Sequence, residues 1–118
     1  MMPNVPFGLP PTAVDKIRAV FARHPQVEKA VLYGSRAKGN YKNGSDIDLT
    51  LSGDGLNLGV LLRILDELDE LLLPWLIDLS IYSTIDHPEL REHIERVGVI
   101  FYRRARGAEG KNAAAKIQ

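Results

Sequence analysis

Residues 31–51 read VLYGSRAKGNYKNGSDIDLTL. An apolar run closes at Gly34, a polar loop follows, and Asp46 and Asp48 stand two residues apart at the head of a second apolar run. The second half alternates. Ile47, Leu49 and Leu51 share one face of an extended chain and Asp46, Asp48 and Thr50 the other, because successive side chains of a strand point to opposite sides. The first half, within EKAVLYG, predicts a short buried strand ending at Gly34. Residues 35–39 predict a brief helical turn, and NYKNGS is loop chemistry with the Asn43–Gly44 pair as its turn.

On the N-terminal side, residues 1–11 carry four prolines and predict an irregular lead-in. Thr12 offers an N-cap with Asp15 three residues on, in capping-box spacing. Val14, Ile17, Ala19, Val20 and Phe21 form the apolar face of a helix that stops near His24, since Pro25 disfavours continuation. On the C-terminal side, SGDG breaks the chain and residues 56–73 predict a strongly apolar helix. Leu58, Leu61, Leu62, Leu65, Leu68 and Leu72 recur in it at helical spacing. Val60, Ile64, Leu71 and Leu73 widen that stripe beyond one face, so part of it is available to a partner or a second copy. Pro74 ends the helix.

WLIDLSIY alternates again, with Ile77, Leu79 and Ile81 inward and Asp78 and Ser80 opposite. Asp86 and Glu89 suggest a second capping box, opening a helix through about Arg96. VGVIFY is a last strand, and from Arg103 onward the chain is basic, small and weakly periodic, as a frayed helix or disordered tail would be. The expected division is a lead-in over 1–11, one domain over 12–102 and a basic tail over 103–118. Helices interleaved with strands around one short sheet imply an α+β (α/β sandwich) fold.

Bulk properties narrow the functions. The 118 residues fit one domain, and 45% apolar with 25% charged residues is an ordinary globular composition. Fifteen basic residues balance fifteen acidic ones, so attachment to a polyanion is not written into the net charge and nucleic acid is not an expected partner. The absence of cysteine excludes disulfides and thiolate metal sites. The N-terminus has neither a basic nor an apolar region of a secretory signal, and charges interrupt residues 56–82, so no membrane association is expected. The expected location is the cytoplasm.

Asp46 and Asp48 leave the same side of their strand, and Asp78 has the same parity on the next predicted strand. If those strands are neighbours, three carboxylates converge. Unit charges about 4 Å apart repel by ~1 kcal/mol in water and ~4 kcal/mol at an effective dielectric near 20. A cation would offset this, and oxygen-only ligands suit Mg²⁺ or Mn²⁺. Taken alone, a D-x-D pair is more often a turn cap and a solvated strand face, and Gly-Ser an ordinary strand-to-helix turn. Together they differ. A Gly at a strand end with Ser at a helix start lets backbone N–H groups approach a phosphate, with Arg36 and Lys38 adding positive charge. An anion-binding turn beside an acidic pair is what a metal-bound nucleoside triphosphate requires.

GSRAKG followed, ten residues after Ser35, by DID resembles the G-S-x10-D-x-D signature of the DNA polymerase β-like nucleotidyltransferases. The wording GSRAKG…SDIDL is closest to the minimal nucleotidyltransferase (MNT) proteins, antitoxins paired with HEPN-domain toxins. The resemblance is sharp over residues 31–51 and extends as element order to about residue 102. It implies a nucleotidyltransferase-like fold with a short mixed, mostly antiparallel sheet of about four strands and helices packed on it. It implies that Gly34, Ser35, Arg36 and Ser45 bind nucleotide, and that Asp46, Asp48 and Asp78 bind two Mg²⁺ ions, or Mn²⁺, and act in catalysis. Lys38 stands where arginine is more usual, which keeps the charge but loses the bidentate fork.

The implied function is metal-dependent transfer of a nucleoside monophosphate, AMP from ATP, to a hydroxyl of a HEPN toxin in a hetero-oligomer. The alternative is a non-catalytic antitoxin that neutralises the toxin by binding. Transfer to a small molecule ranks below both, since about fifteen residues after the last strand cannot supply a further acceptor-binding domain. Arg36 stays open between touching phosphate and pairing with a carboxylate such as Asp46. His24, His87 and His93 read as surface or capping residues, and Tyr33, Trp75 and Tyr82 as packing residues. Arg103, Arg104 and Arg106 read as a solvated cluster.

Overall fold

The computed structural model describes residues 6–105, so Arg106 and the rest of the expected tail lie outside the described residues. The elements are α1 (Pro11–Ala22), β1 (Lys29–Tyr33), α2 (Ser35–Lys38), β2 (Ile47–Ser52), α3 (Leu58–Asp69), β3 (Ile77–Ile81), α4 (Pro88–Val97) and β4 (Val99–Arg103). Single 3-10 turns at Pro6–Gly8 and Tyr82–Thr84 complete the order. The four strands form one mixed sheet in the order β3-β2-β1-β4. β1 pairs antiparallel with both β2 and β4, and β2 pairs parallel with β3. The fold is therefore the α+β sandwich expected, with a short mixed, mostly antiparallel sheet of four strands.

Alternation divides the sheet into two faces. Ala30 and Leu32, Ile47, Leu49 and Leu51, and Leu79 and Ile81 are buried on one of them, where α1 and α3 pack against each other and the strands. Ile17, Val20 and Phe21 of α1 and Val60, Ile64 and Leu68 of α3 complete that core with Phe101. α4 lies on the other face, where Ile94 and Gly98 line a groove with Val31 and Thr50.

Several local expectations are corrected. α1 starts at Pro11 with Pro10 as its cap residue and no side-chain cap. Proline at the first helical position needs no N–H partner, and Thr12 then lies inside the first turn, where Val14 N is already bonded to Pro10 O at 3.1 Å. Ala13 is buried on α1 and Ala19 is exposed. α4 is capped by His87, whose Nδ1 accepts from Leu90 N at 3.3 Å, in place of the Asp86 expected. α3 spans Leu58–Asp69 rather than 56–73, with Asn57 Oδ1 accepting from Val60 N at 3.0 Å. Its buried stripe is Val60, Ile64 and Leu68, while Leu58 and Leu62 are 66% and 52% exposed. Both stripes have helical spacing, so the period alone did not say which faces the sheet.

The two ends of the described chain are built into the domain. Leu9 is fully buried, and the Phe7 and Phe101 rings stand 5.6 Å apart. Arg103 closes β4. The Arg104 guanidinium, expected in a solvated cluster, donates to the carbonyls of Val27 at 3.0 Å, His24 at 2.7 Å, Phe21 at 3.3 Å and Ala22 at 3.4 Å. These include last-turn carbonyls of α1, which have no partner within the helix.

Candidate active site

β1 ends, and β2 and β3 begin, at one end of the sheet. Tyr33 stands opposite Asp48, and Asp48 opposite Asp78. Residues opposed on adjacent strands share a face, so Tyr33, Asp48 and Asp78 line up across it at an interstrand spacing of about 4.8 Å. This is the face away from the α1–α3 core. Asp48 is half-buried, whereas Asp46, one residue before β2, and Asp78, on the edge strand, are exposed. Burial pushes the Asp48 carboxyl above the usual carboxylate range, and the charges of Asp78 and Asp46 push the same way, with His93 opposing.

Gly34 turns the chain from β1 into α2 with φ 75 and ψ −156, a region that side chains resist. A Cβ there would overlap the Asp48 carboxylate. The main chain of the Gly-Ser turn therefore lies against the central carboxylate, with no room for a side chain between them. Ser35 opens α2, whose single turn is closed by Lys38 N to Gly34 O at 3.0 Å and Gly39 N to Ser35 O at 2.9 Å.

Arg36 resolves into neither of the roles left open. It is 2% exposed, and its guanidinium donates to Ser45 O at 3.0 Å, Asn43 O at 3.0 Å, Phe7 O at 2.9 Å and Gly8 O at 3.4 Å. The Tyr41 and Trp75 rings flank it at 5.2 and 5.9 Å. It joins the N-terminal segment, the 40s loop and the Gly-Ser turn, and its donors are spent on carbonyls rather than aimed outward. Ser45 is likewise a loop residue here. Its Oγ accepts from Lys42 N at 2.8 Å, and Arg36 holds its carbonyl, which places the segment entering β2.

Two neighbours of the carboxylates carried no functional signal in the sequence reading. Tyr33 is buried, and burial together with the charges of Asp78 and Asp48 raises its hydroxyl above the ordinary tyrosine value, with Ser80 opposing. His93 reaches the same face from α4, its ring edge-on to Tyr33 with centroids 6.2 Å apart. The signal for His93 was available. With Leu90, Ile94 and Val97 it falls on the i, i+3, i+4, i+7 stripe that a packed helix turns inward. Below the carboxylates, Ser80 Oγ donates to Thr50 Oγ1 at 2.9 Å and ties the two strands together.

The donor set at this end is hard oxygen. Among the described residues none of Asp46, Asp48 and Asp78 takes part in a salt bridge. Also among the described residues, no trio of carboxylate or imidazole groups closes into an ion-binding cage, because Asp46 lies outside the strand register that pairs the other two. Burial of Asp48 with the charges of Asp78 and Asp46 beside it is the electrostatic environment that a hard divalent cation relieves, so these residues fit such an ion.

The family model described as Polymerase beta, Nucleotidyltransferase matches residues 15–107. Among solved structures, the chain is similar to one described as a toxin-antitoxin with AMP-PNP. The two are 19% identical, with 81% of this chain and 77% of that chain covered at a TM-score of 0.63. It is also similar to a chain of the complex of tri-AMPylated Shewanella oneidensis HEPN toxin with MNT antitoxin. Identity there is 17%, coverage 83% of this chain and 76% of that chain, and the TM-score 0.58. At such identities the likeness establishes the shared fold. No curated protein sequence gives a significant match. No helix among the described residues is long and apolar enough to cross a membrane.

Proposed function

Since the chain belongs to the polymerase β nucleotidyltransferase family, we propose that it is a cytoplasmic transferase moving AMP from ATP to a protein hydroxyl. The acceptor is a tyrosine of a cognate HEPN toxin, and the transfer makes this protein the antitoxin of the pair. The observation that carries the reading is the register opposition of Asp48 and Asp78 beside a Gly34 turn that leaves no room for a Cβ against the Asp48 carboxylate.

The roles follow from position. The N–H groups at the start of α2 and the Ser35 hydroxyl hold the triphosphate. Asp46 and Asp48 would hold divalent ions, with Asp78 completing the set. Mg²⁺ bound there would neutralise phosphate charge and favour in-line displacement. The acceptor oxygen forms a bond to the α-phosphorus as the bond to the β-phosphate bridging oxygen breaks, and pyrophosphate leaves. Asp78 is exposed and farthest from the Gly-Ser turn, so it is the carboxylate placed to receive the acceptor's proton. Arg36 and Ser45 act indirectly, by holding the loop that delivers Asp46 and Asp48. The similar structures, one with AMP-PNP and one with an AMPylated HEPN toxin, support this choice of donor and acceptor.

The test is Asp46→Ala with Asp48→Ala, assayed for transfer of labelled AMP to the toxin and for neutralisation of its growth arrest. Both should be lost while circular dichroism and the melting profile show a folded chain. A folded double variant that neutralises as well as wild type sinks the catalytic account and leaves neutralisation by binding.

A further inference from the structure

We propose that the groove between the C-terminal end of α3 and the start of β3 is the docking site for a basic amphipathic helix of the acceptor protein. That the occupant belongs to the acceptor rests on the transferase reading above; that the groove takes such a helix does not. The groove encloses about 540 Å³ and is lined chiefly by Leu65, Leu68, Leu72, Leu73, Trp75 and Ile77. It ends at Ile77, on the core face of the sheet at the start of the strand that carries Asp78 on its other face.

Apolar surface is concentrated here. Leu58, Leu62, Leu72 and Leu76 are 66%, 52%, 86% and 69% exposed. They extend the lining residue Leu65 into a stripe along α3 and past its end. α3 has 12 residues, about 18 Å at 1.5 Å each, which matches several turns of an opposing helix. Leu72 holds φ 55, a conformation unfavourable for a residue with a Cβ, yet its side chain gains no burial from it. The strain turns a leucine out to solvent at the groove's mouth.

Charge decides the partner. Asp66 and Asp69 line the groove, Glu70 follows as the cap residue, and no basic residue lies in the last turn of α3. These carboxylates sit at the C-terminal end of the helix, where the helix dipole already concentrates negative charge, the reverse of the favourable placement. An apolar floor with this rim selects lysine or arginine flanking an apolar face, and it disfavours nucleic acid. A second copy packed symmetrically would bring one acidic rim against another.

Trp75 is the sole tryptophan and lies in the groove, so its emission reports occupancy. The full chain would be titrated with a synthetic Leu/Lys amphipathic helix of about 18 residues lacking aromatic groups, and with its Leu/Glu twin. The expected result is a saturable blue shift with the lysine peptide and none with the glutamate peptide. Leu62→Ser with Leu76→Ser should weaken binding about tenfold or more, as should Asp66→Asn with Asp69→Asn. Asp46→Ala with Asp48→Ala should bind the peptide as wild type does while losing transfer, which separates this proposal from the catalytic one. Equal responses to the two peptides would overturn it. So would undiminished binding by a folded serine variant, or a solution dimer that the serine variant dissociates.

Discussion

Replacing Asp48 by Asn should make the protein more stable while removing its activity. Asn keeps the shape of the side chain and deletes the charge that burial, Asp78 and Asp46 all disfavour. At an interstrand spacing of ~4.8 Å, the repulsion between Asp48 and Asp78 lies between ~0.9 kcal/mol in water and ~3.5 kcal/mol at an effective dielectric of 20. Asp78 is exposed, which places the value toward the lower bound, about 1 to 1.5 kcal/mol after solvent screening. For a domain of this size that is a rise in Tm of about 4 to 6 °C. The sign of the pH dependence follows from the raised pKa. The folded wild type binds this proton more tightly than the unfolded chain, so the associated stability is complete below about pH 4 and is lost as pH rises through the folded value. The Asn variant has no such loss. Its advantage should be small near pH 4 and full at pH 7 in thermal melts without divalent ions, and millimolar Mg²⁺ should narrow the gap by stabilising wild type alone. A variant melting at or below wild type at pH 7, or an advantage that does not shrink toward pH 4, would refute the reasoning.

Other changes act on the scaffold around the carboxylates. Gly34→Ala should cost ~1–3 kcal/mol in backbone strain alone and abolish AMP transfer by displacing Asp48, read by urea unfolding and a labelled-ATP assay. Arg36→Lys, which cannot reproduce the fork onto four carbonyls, should lower the urea midpoint by an amount equivalent to about 2–3 kcal/mol; unchanged stability with a raised KM for ATP would instead place this side chain on phosphate. Arg104→Ala should cost about 1–2 kcal/mol and raise hydrogen exchange selectively at Phe21–His24, whereas uniform exchange would deny the guanidinium its place at the end of α1.

The carboxylate-bearing end of the sheet was legible because strand parity is rigid. Asp48 and Asp78 had to share a face once β2 and β3 were adjacent, and each strand announced its inward set through isoleucine and leucine. Gly34 was legible as a turn, but its contact with Asp48 depends on how β1 pairs with β2. Arg36 was not legible, since a guanidinium serving carbonyls and one serving phosphate are the same residue in a sequence. Two of its acceptors, Phe7 and Gly8, lie 29 and 28 residues away. The inward face of α3 was misjudged because leucine abundance outweighed Val60 and Ile64, which have the same spacing. The helix starts at Pro11 and Pro88 were missed because proline at a first turn and an imidazole cap leave weaker marks than Ser, Thr or Asp.

The anchoring of Arg36 on Phe7 and Gly8 bears on where this chain can be cut. A proline-rich start invites trimming to the first long helix, or replacement by a purification tag joined at residue 11. Either operation removes two of the four acceptors of a buried cation and strips Phe7 from Phe101. The damage would surface at the opposite end of the guanidinium, as a loosened Gly-Ser turn and a wandering Asp46. A shortened protein that is soluble but inactive would then report a lost brace rather than a mistaken activity, and tags belong ahead of residue 6.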